Sequence, residues 1–336
     1  MTELIVKKEE SGQRLDKFLK KYLREAPDSF LYKMLRKKNI TLNGKKSQGR
    51  EALAEGDVIR LFLSDETVEK FRGTGSVQPA AGTGKVPEPQ VVFENAAVLF
   101  YNKPAGLLVQ PDASGAPSIA QQLQGWLLAR KGIDRELLRA QRPAPVNRLD
   151  RNTTGLVLCG KTLQGLQLLS QAVRERSVQK KYLVLAGKLP VGEKMLQDGI
   201  YKAFAVKDEK HNRMQLFGSE QEGSVMMLTE IRTLAEGDSL NLLEIGLITG
   251  RTHQIRAHLR YLGMPVAGDP KYGDPEVNEK LKKTCGVRRQ LLHAAAILFP
   301  EDEALGELSG MVQKAPLPDD FLKVLQKEHI DTAGID

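Results

Sequence analysis

Four groups of residues in this chain have types and spacings that suggest chemistry. Gly155-Leu156-Val157-Leu158-Cys159-Gly160-Lys161-Thr162 spells the pattern of a phosphate-cradling nucleotide loop. Such a loop needs free, curved backbone N–H groups after an apolar strand. Here the four residues between the glycines are themselves strand-like and the residues before them are polar, so phosphate binding is not expected. Arg-Leu-Asp occurs twice, at 14–16 and at 148–150. Asp16 opens an amphipathic helix, where a carboxylate suits the first turn. Asp150 lies in a polar turn before an apolar strand, a place where a carboxylate can be held beside a cleft, and it is the better candidate for catalysis. The histidines are His211, His253, His258, His293 and His329. His253 and His258 share a predicted helix at a spacing of five, whereas paired zinc ligands on one helix face want three or four. No metal site is expected. The run from Gly246 to Gly273 carries Arg251, Arg256 and Arg260, each of which needs a carboxylate, a phosphate or water. Arg256 follows the core-facing Ile255, which favours pairing with a buried carboxylate.

These residues need elements to position them. Strands are predicted over Val91–Phe93, Val98–Tyr101, Gly155–Cys159, Tyr182–Ala186, Ser224–Ile231, Leu240–Leu247 and His293–Phe299. Helices are predicted over Ser118–Arg130, Leu163–Arg176 and Thr252–Leu262, the last capped by Thr252 and ended by Gly263. Strands do not alternate regularly with helices, so the expected class is α+β rather than doubly wound α/β.

The chain has 336 residues, 41% hydrophobic and 27% charged, enough for two domains with real cores. Two cysteines exclude a disulfide framework and a cysteine-rich zinc module. No apolar run approaches a membrane span, and Met1 to Glu10 lacks a secretory apolar core. A cytoplasmic location with no membrane partner is expected. The net charge of +8 is concentrated: Arg14 to Arg50 holds twelve Lys or Arg against Asp16, Glu25 and Asp28. In the same stretch Leu15, Phe18, Leu19 and Tyr22 recur at helical spacing, as do Phe30, Leu31, Met34 and Leu35 after Pro27-Asp28. Ile40-Thr41-Leu42, the turn Asn43-Gly44 and Val58–Phe62 read as strand, turn and strand. Positive charge gathered on one compact module is the footprint of a phosphate backbone. Over residues 12–62 this module resembles the S4 RNA-binding domain, through Gln13-Arg14-Leu15-Asp16-Lys17-Phe18-Leu19, Leu35-Arg36-Lys37-Lys38 and Ile40–Lys45. The resemblance and the charge together imply RNA contacts from Arg14, Lys17, Lys33, Arg36, Lys37, Lys38, Lys45 and Lys46. Residues 73–90, rich in Gly, Pro and small side chains, read as a flexible linker between an S4-like α/β domain at 1–72 and a second domain at 91–330.

The second domain resembles the RluA-type family of pseudouridine synthases. The resemblance rests on Asn147-Arg148-Leu149-Asp150-Arg151-Asn152-Thr153-Thr154-Gly155-Leu156, Lys181–Gly187, Gly250–Gly273, Phe100–Gly106 and Leu291-Leu292-His293-Ala294. An appended S4 domain is common in this family, and the two together resemble a large-subunit ribosomal RNA pseudouridine synthase. Two positions depart from the family pattern: Asn147 where His is usual, and Thr154 where Ser is usual. Both keep hydrogen-bonding capacity. The resemblance implies a mixed, mostly antiparallel sheet and conversion of uridine to pseudouridine with no metal, cofactor or nucleotide. It makes Asp150 the catalytic carboxylate, as nucleophile at C1′ or as base toward the 2′-hydrogen. Tyr182 would stack on the uracil and its phenol would take the C5 proton. Arg256 would pair with Asp150 and keep it ionised. Asn147, Arg148, Arg251 and Leu292 would contact substrate, Arg148 filling the gap left by the flipped base and Leu292 packing on that base. The partner is RNA, and a monomer is expected because no heptad pattern supports a coiled-coil dimer. Two other classes compete: a non-catalytic RNA-binding or ribosome-assembly protein, and an RNA-stimulated nucleotide hydrolase using Gly155–Thr162.

Overall fold

A computed structural model describes residues 2–72, 90–112, 114–130, 133, 135–189, 196–211 and 213–331. The predicted linker therefore lies outside the described residues except for Gln90. The chain forms two compact units. One comprises the described parts of Met1–Thr83, Gln124–Pro143 and Lys161–Gln164; the other comprises those of Gly84–Leu123, Ala144–Gly160 and Gly165–Asp336. Sequence composition placed everything after Val91 in the second domain. The grouping of Gln124–Pro143 with the first unit had no compositional signal.

The first unit contains β1 (Thr2–Ile5), α1 (Leu15–Tyr22), α2 (Asp28–Arg36), β2 (Ile40–Leu42), β3 (Lys45–Lys46), β4 (Val58–Leu61) and α3 (Asp65–Arg72). Its four strands form an antiparallel sheet in the order β1-β4-β2-β3. Leu15, Phe18 and Leu19 of α1 and Leu31, Met34 and Leu35 of α2 are buried with Ile40, Ile59 and Leu61. Each helix is too short to persist alone, so this shared burial holds them. The outward face carries the charge: Lys17, Lys33, Arg36, Lys37, Lys38, Lys45 and Lys46 are exposed.

The second unit is built on a mixed sheet. Its strands are β5 (Val91–Glu94), β6 (Val98–Lys103), β7 (Ala144–Pro145), β8 (Thr154–Gly160), β9 (Gln179–Gly187), β10 (Gly199–Asp208), β11 (Arg213–Phe217), β12 (Val225–Glu236), β13 (Leu240–Leu247), β14 (Leu292–Leu298) and β15 (Val312–Lys314). The order is β11-β10-β12-β13-β9-β14-β8-β6-β5, with β15 on β14 and β7 on β8. Among the described strands every pair is antiparallel except β14 with β8. The α+β class and the mostly antiparallel sheet are therefore as the sequence led us to expect.

Six further helices lie along the chain: α4 (Ile119–Leu128), α5 (Arg135–Gln141), α6 (Leu163–Arg174), α7 (Gln254–Tyr261), α8 (Pro275–Cys285) and α9 (Asp319–Lys327). The described helices include none long and apolar enough to cross a membrane. Helix α6 stops two residues before its predicted end, because Arg176 turns left-handed at φ 58°. Helix α7 is also shorter than predicted. His253, at φ 52°, stands where Thr252 was expected to cap. The Gln254 Oε1 ties the preceding loop to the helix start, accepting from the Arg251 N–H at 3.0 Å and from the Thr249 hydroxyl at 2.9 Å.

The nucleotide-loop reading fails on the same geometry. Gly155 to Gly160 is buried strand, its backbone engaged with β6 from Lys103↔Gly155 to Val98↔Gly160. Both glycines have packing reasons. A Cβ on Gly155 (φ +106°) would lie 2.2 Å from the Ala294 carbonyl oxygen, and one on Gly160 would lie 2.4 Å from the Leu166 Cα. The first lets β14 approach β8; the second lets α6 approach the sheet.

Candidate active site

The parallel pair decides where the site forms. Strands β8 and β14 run in the same direction with His293 opposite Thr154, so the chain segments entering them arrive side by side. The entry to β8 carries Asp150, in a turn closed by the Thr153 N–H on the Asp150 carbonyl at 3.0 Å. The first residue of β14 is Leu292. Strand β9 lies on the other side of β14 and places Tyr182 opposite Ala294. Helix α7 packs Ile255 and Leu259 into the apolar cluster that holds Tyr182, Val184, Ile245 and Leu292. That packing turns Arg256 toward the turn. The result is one cleft lined by Arg148, Asp150, Tyr182, Arg251, His253, Arg256 and Leu292. Six residues expected at the site from sequence thus come together.

Arg256 is 6% exposed and holds two carboxylates. Its Nη1 donates to Asp150 Oδ2 at 2.7 Å, and its Nε and Nη2 donate to Asp269 Oδ2 and Oδ1 at 2.6 and 2.8 Å. Burial opposes the Arg256 charge, but the Asp269 and then the Asp150 carboxylates outweigh it and raise its pKa. Asp269 is fully buried and also accepts the backbone N–H groups of Lys271 and Tyr272 at 2.8 and 3.1 Å. A planar fork gripped on one edge by a fixed carboxylate presents its remaining donor in a fixed direction. Asp150 is therefore oriented through Oδ2. Its Oδ1 has no hydrogen-bond partner among the described residues, and its side chain is 30% exposed at the cleft.

The Asp150 turn is clamped from beneath. Lys103 is fully buried, and its ammonium donates to the carbonyls of Arg151 (2.7 Å), Leu107 (2.8 Å) and Pro104 (2.9 Å). Burial, with the Arg289 charge, pulls its pKa down to about 7, against the Asp150 charge. Arg289 donates to the Asn152 carbonyl at 3.4 Å while its Nε holds Asp320 at 2.7 Å. Gln290 donates to the Thr153 hydroxyl at 3.2 Å, and the Thr154 hydroxyl bonds His293 Nδ1 at 2.9 Å. Four successive residues, 151 to 154, are each held by a side chain from elsewhere.

Tyr182 is buried, and its hydroxyl has no hydrogen-bond partner among the described residues. Burial and then the Asp150 charge raise its pKa, so the phenol stays protonated. Its ring forms part of the cleft wall. Arg148 and Arg251 are exposed at the rim, and their guanidinium groups have no partner among the described residues.

One expected contact is corrected. Asn147 does not line the cleft. It is buried, with Nδ2 on the Leu156 carbonyl at 3.2 Å and Oδ1 accepting the Leu158 N–H at 2.8 Å. Both ends of its amide brace β8, so it is a strut rather than a substrate contact. In the first unit, the Arg14 guanidinium bonds Asp16 through Nε and Nη2 but stays 45% exposed, so its other N–H groups still face outward. Sequence reasoning missed Asp269, Lys103 and Arg289. The first two carry a faint signal, each a charged residue next to proline inside an otherwise apolar or glycine-rich run (Lys103-Pro104, Asp269-Pro270).

The family model for RNA pseudouridylate synthase matches residues 97–261, a span that holds Asp150, Tyr182 and Arg256. The chain is 31% identical over 327 residues to the ribosomal large subunit pseudouridine synthase C of Escherichia coli K12, covering 95% of this chain and 94% of that one. It is 32% identical over 327 residues to the protein of the same name from Vibrio vulnificus, covering 94% and 93%. Among solved structures, the human RNA pseudouridylate synthase domain containing 4 superposes with a TM-score of 0.54 at 21% identity, covering 71% of this chain and 92% of that one. That structural likeness speaks to the fold, and the relatives span nearly the whole chain. An arginine-held aspartate beside a buried tyrosine thus sits in the matched region, and the chain belongs to the RNA pseudouridylate synthase family, enzymes that isomerise uridine in RNA.

Proposed function

We propose that this enzyme modifies uridines of large-subunit ribosomal RNA, with Asp150 as the catalytic residue. The observation that carries the assignment is the Asp150 carboxylate itself: Oδ2 is fixed by Arg256 while Oδ1 meets the cleft with no partner among the described residues. The names of the curated relatives support the choice of RNA. The uridine must leave its stack to reach this depth, at a cost of a few kcal/mol. Arg148 and Arg251 at the rim would offset that cost through phosphate contacts, with Arg148 occupying the vacated place in the stack. Leu292 and the Tyr182 ring would sandwich the uracil. Asp150 then breaks the N1–C1′ bond, either by attack at C1′ or by removing the 2′-hydrogen. The base turns and C5 bonds to C1′ as the Asp150–C1′ bond breaks or, on the second route, as Asp150 returns the proton to C2′; C5 then gives its proton to solvent and N1 takes one up. The basic face of the first unit would hold the flanking RNA. Acting as a cytoplasmic monomer completes the reading, and sedimentation of the free and RNA-bound enzyme tests the monomer.

Asp150→Asn tests the core of it. The amide can still accept from Arg256, so fold and RNA binding persist, but it is neither nucleophilic nor basic. Turnover within about tenfold of the parent, a loss of only ~1.4 kcal/mol in transition-state stabilisation, would sink the assignment. Chemical mapping of pseudouridine in ribosomal RNA from cells with and without the protein tests the substrate.

A further inference from the structure

We propose that Tyr32 is a preset stacking platform for an unpaired RNA base, an inference that rests on reading the basic face of the first unit as an RNA surface. Tyr32 lies on α2 and is 40% exposed, while its neighbours Leu31, Met34 and Leu35 face the core. An exposed tyrosine ordinarily swings free. This one is tied: its hydroxyl donates to Asp16 Oδ2 at 2.8 Å. Asp16 is in turn fixed by the Arg14 guanidinium and by the Lys17 N–H at 2.8 Å. The third support is Gly49, at φ +89°. A Cβ there would crowd the Leu35 Cδ1 at 3.1 Å and the Asp16 Cβ at 3.2 Å and would meet the Tyr32 Cε1 at 3.4 Å, so the Gly49 backbone lies close against both Asp16 and the ring. Segments from α1, α2 and the loop at Gly49 thus fix one exposed aromatic ring.

The ring is flanked by charge. Lys33 and Arg36 share its helix, Lys17 follows Asp16, and all three are exposed. The Arg36 Nε also reaches the Tyr32 carbonyl at 3.4 Å. A flat π-surface among cations matches a nucleobase bracketed by phosphates, and each base offers such a face only when unpaired. Fixing the ring before binding removes the ordering cost at the moment of association. Arg14, bonded to Asp16, acts here as a positioning residue.

The test uses the full chain and two RNAs of equal length, a continuous duplex and the same duplex interrupted by an unpaired purine loop. Affinities are measured against salt concentration for Tyr32→Ala, Tyr32→Phe and Lys33→Ala, with thermal melts to verify folding. Tyr32→Ala is expected to weaken looped RNA by about 5- to 150-fold, to leave the duplex within about twofold, and to leave the salt slope unchanged. Tyr32→Phe keeps the ring and should fall between the parent and the alanine variant. Lys33→Ala should flatten the slope by about 0.7–0.9 on both RNAs. An equal loss on both RNAs, or none, overturns the platform. If Lys33→Ala flattens the slope while Tyr32→Ala is silent, stacking alone is refuted. If neither variant changes anything, neither side chain meets RNA and the platform is overturned.

Discussion

Replacing Asp269 by asparagine removes one charge and almost no volume, and the structure fixes what that should cost. The carboxylate receives four donors: Arg256 Nε and Nη2 and the N–H groups of Lys271 and Tyr272. A carboxamide has one oxygen. Placed at the Oδ1 position it keeps three donors, and its own NH2 then confronts Arg256 Nε where the separation is 2.6 Å. Turned over, it confronts the other three. Depriving a buried ion of its partner costs about 3–5 kcal/mol, within a total of about 5–15 kcal/mol for a typical native protein. The variant should fold but melt earlier. The guanidinium, no longer gripped, should let Asp150 drift, and a displacement of about 1 Å costs about a hundredfold in rate. Because C5 loses its proton in the reaction, RNA tritiated at that carbon reports each turnover as released label. Single-turnover rates at saturating enzyme should fall by about 10- to 100-fold with RNA affinity unchanged. The double replacement Arg256→Met with Asp269→Leu should recover only part of the stability and none of the rate: an apolar pair of similar volume can replace a buried ion pair, but the Lys271 and Tyr272 N–H groups lose their acceptor. If Asp269→Asn keeps both rate and stability, the grip of Asp269 on the guanidinium does not orient the catalytic carboxylate.

Three further outcomes follow from other parts of the structure. His258 and His293 are buried, and burial lowers both to about 4. With folded values below the unfolded value of ~6.5, their stabilisation is complete above that pH and is lost as pH falls toward 4, roughly 3 kcal/mol each. A denaturation midpoint that stays flat between about pH 6.5 and 5, above the carboxylate range, would contradict this. Asn147→Ala should cost about 2–3 kcal/mol by stranding the Leu158 N–H, with RNA affinity unaltered; weaker binding at full stability would restore it as a substrate contact. Gly155→Ala should cost about 3 kcal/mol or more, since both φ and the Ala294 carbonyl forbid a Cβ. A calorimetric melt within a degree of the parent would show that β14 can move aside.

What could be read ahead of the structure was whatever sits close together in sequence. Asp150, with its flanking arginines, and Arg256, with Ile255 beside it, announced themselves through neighbours. Strand β13 was bounded correctly because its apolar run ends cleanly at both sides. What could not be read was partnership. Lys103 serves a carbonyl 48 residues away, and Arg289 one that is 137 residues away. Asp269 could not be singled out, because its contact with Arg256 bridges 13 residues between a helix and a loop. The same applies to Asn147, whose type suited a substrate contact until β8 claimed both ends of its amide. Strands β10 and β11 mix exposed and buried positions too irregularly to show a clean period. The nucleotide-loop string shows the converse: a perfect local pattern whose glycines answer to distant neighbours.

The position of β14 has a consequence in time. It joins β9 to β8, so a strand beginning at residue 292 closes the gap between two strands synthesised more than a hundred residues earlier. Until it inserts, β5-β6-β8 and β9-β13 are separate sheets with open edges, and the turn bearing Asp150 lacks Arg289 and Gln290. Closing such a long-range gap is slow and leaves edges exposed meanwhile. A growing chain on the ribosome therefore presents its basic first unit long before it can carry out any reaction, and catalytic competence arrives as a single late event when the final central strand docks.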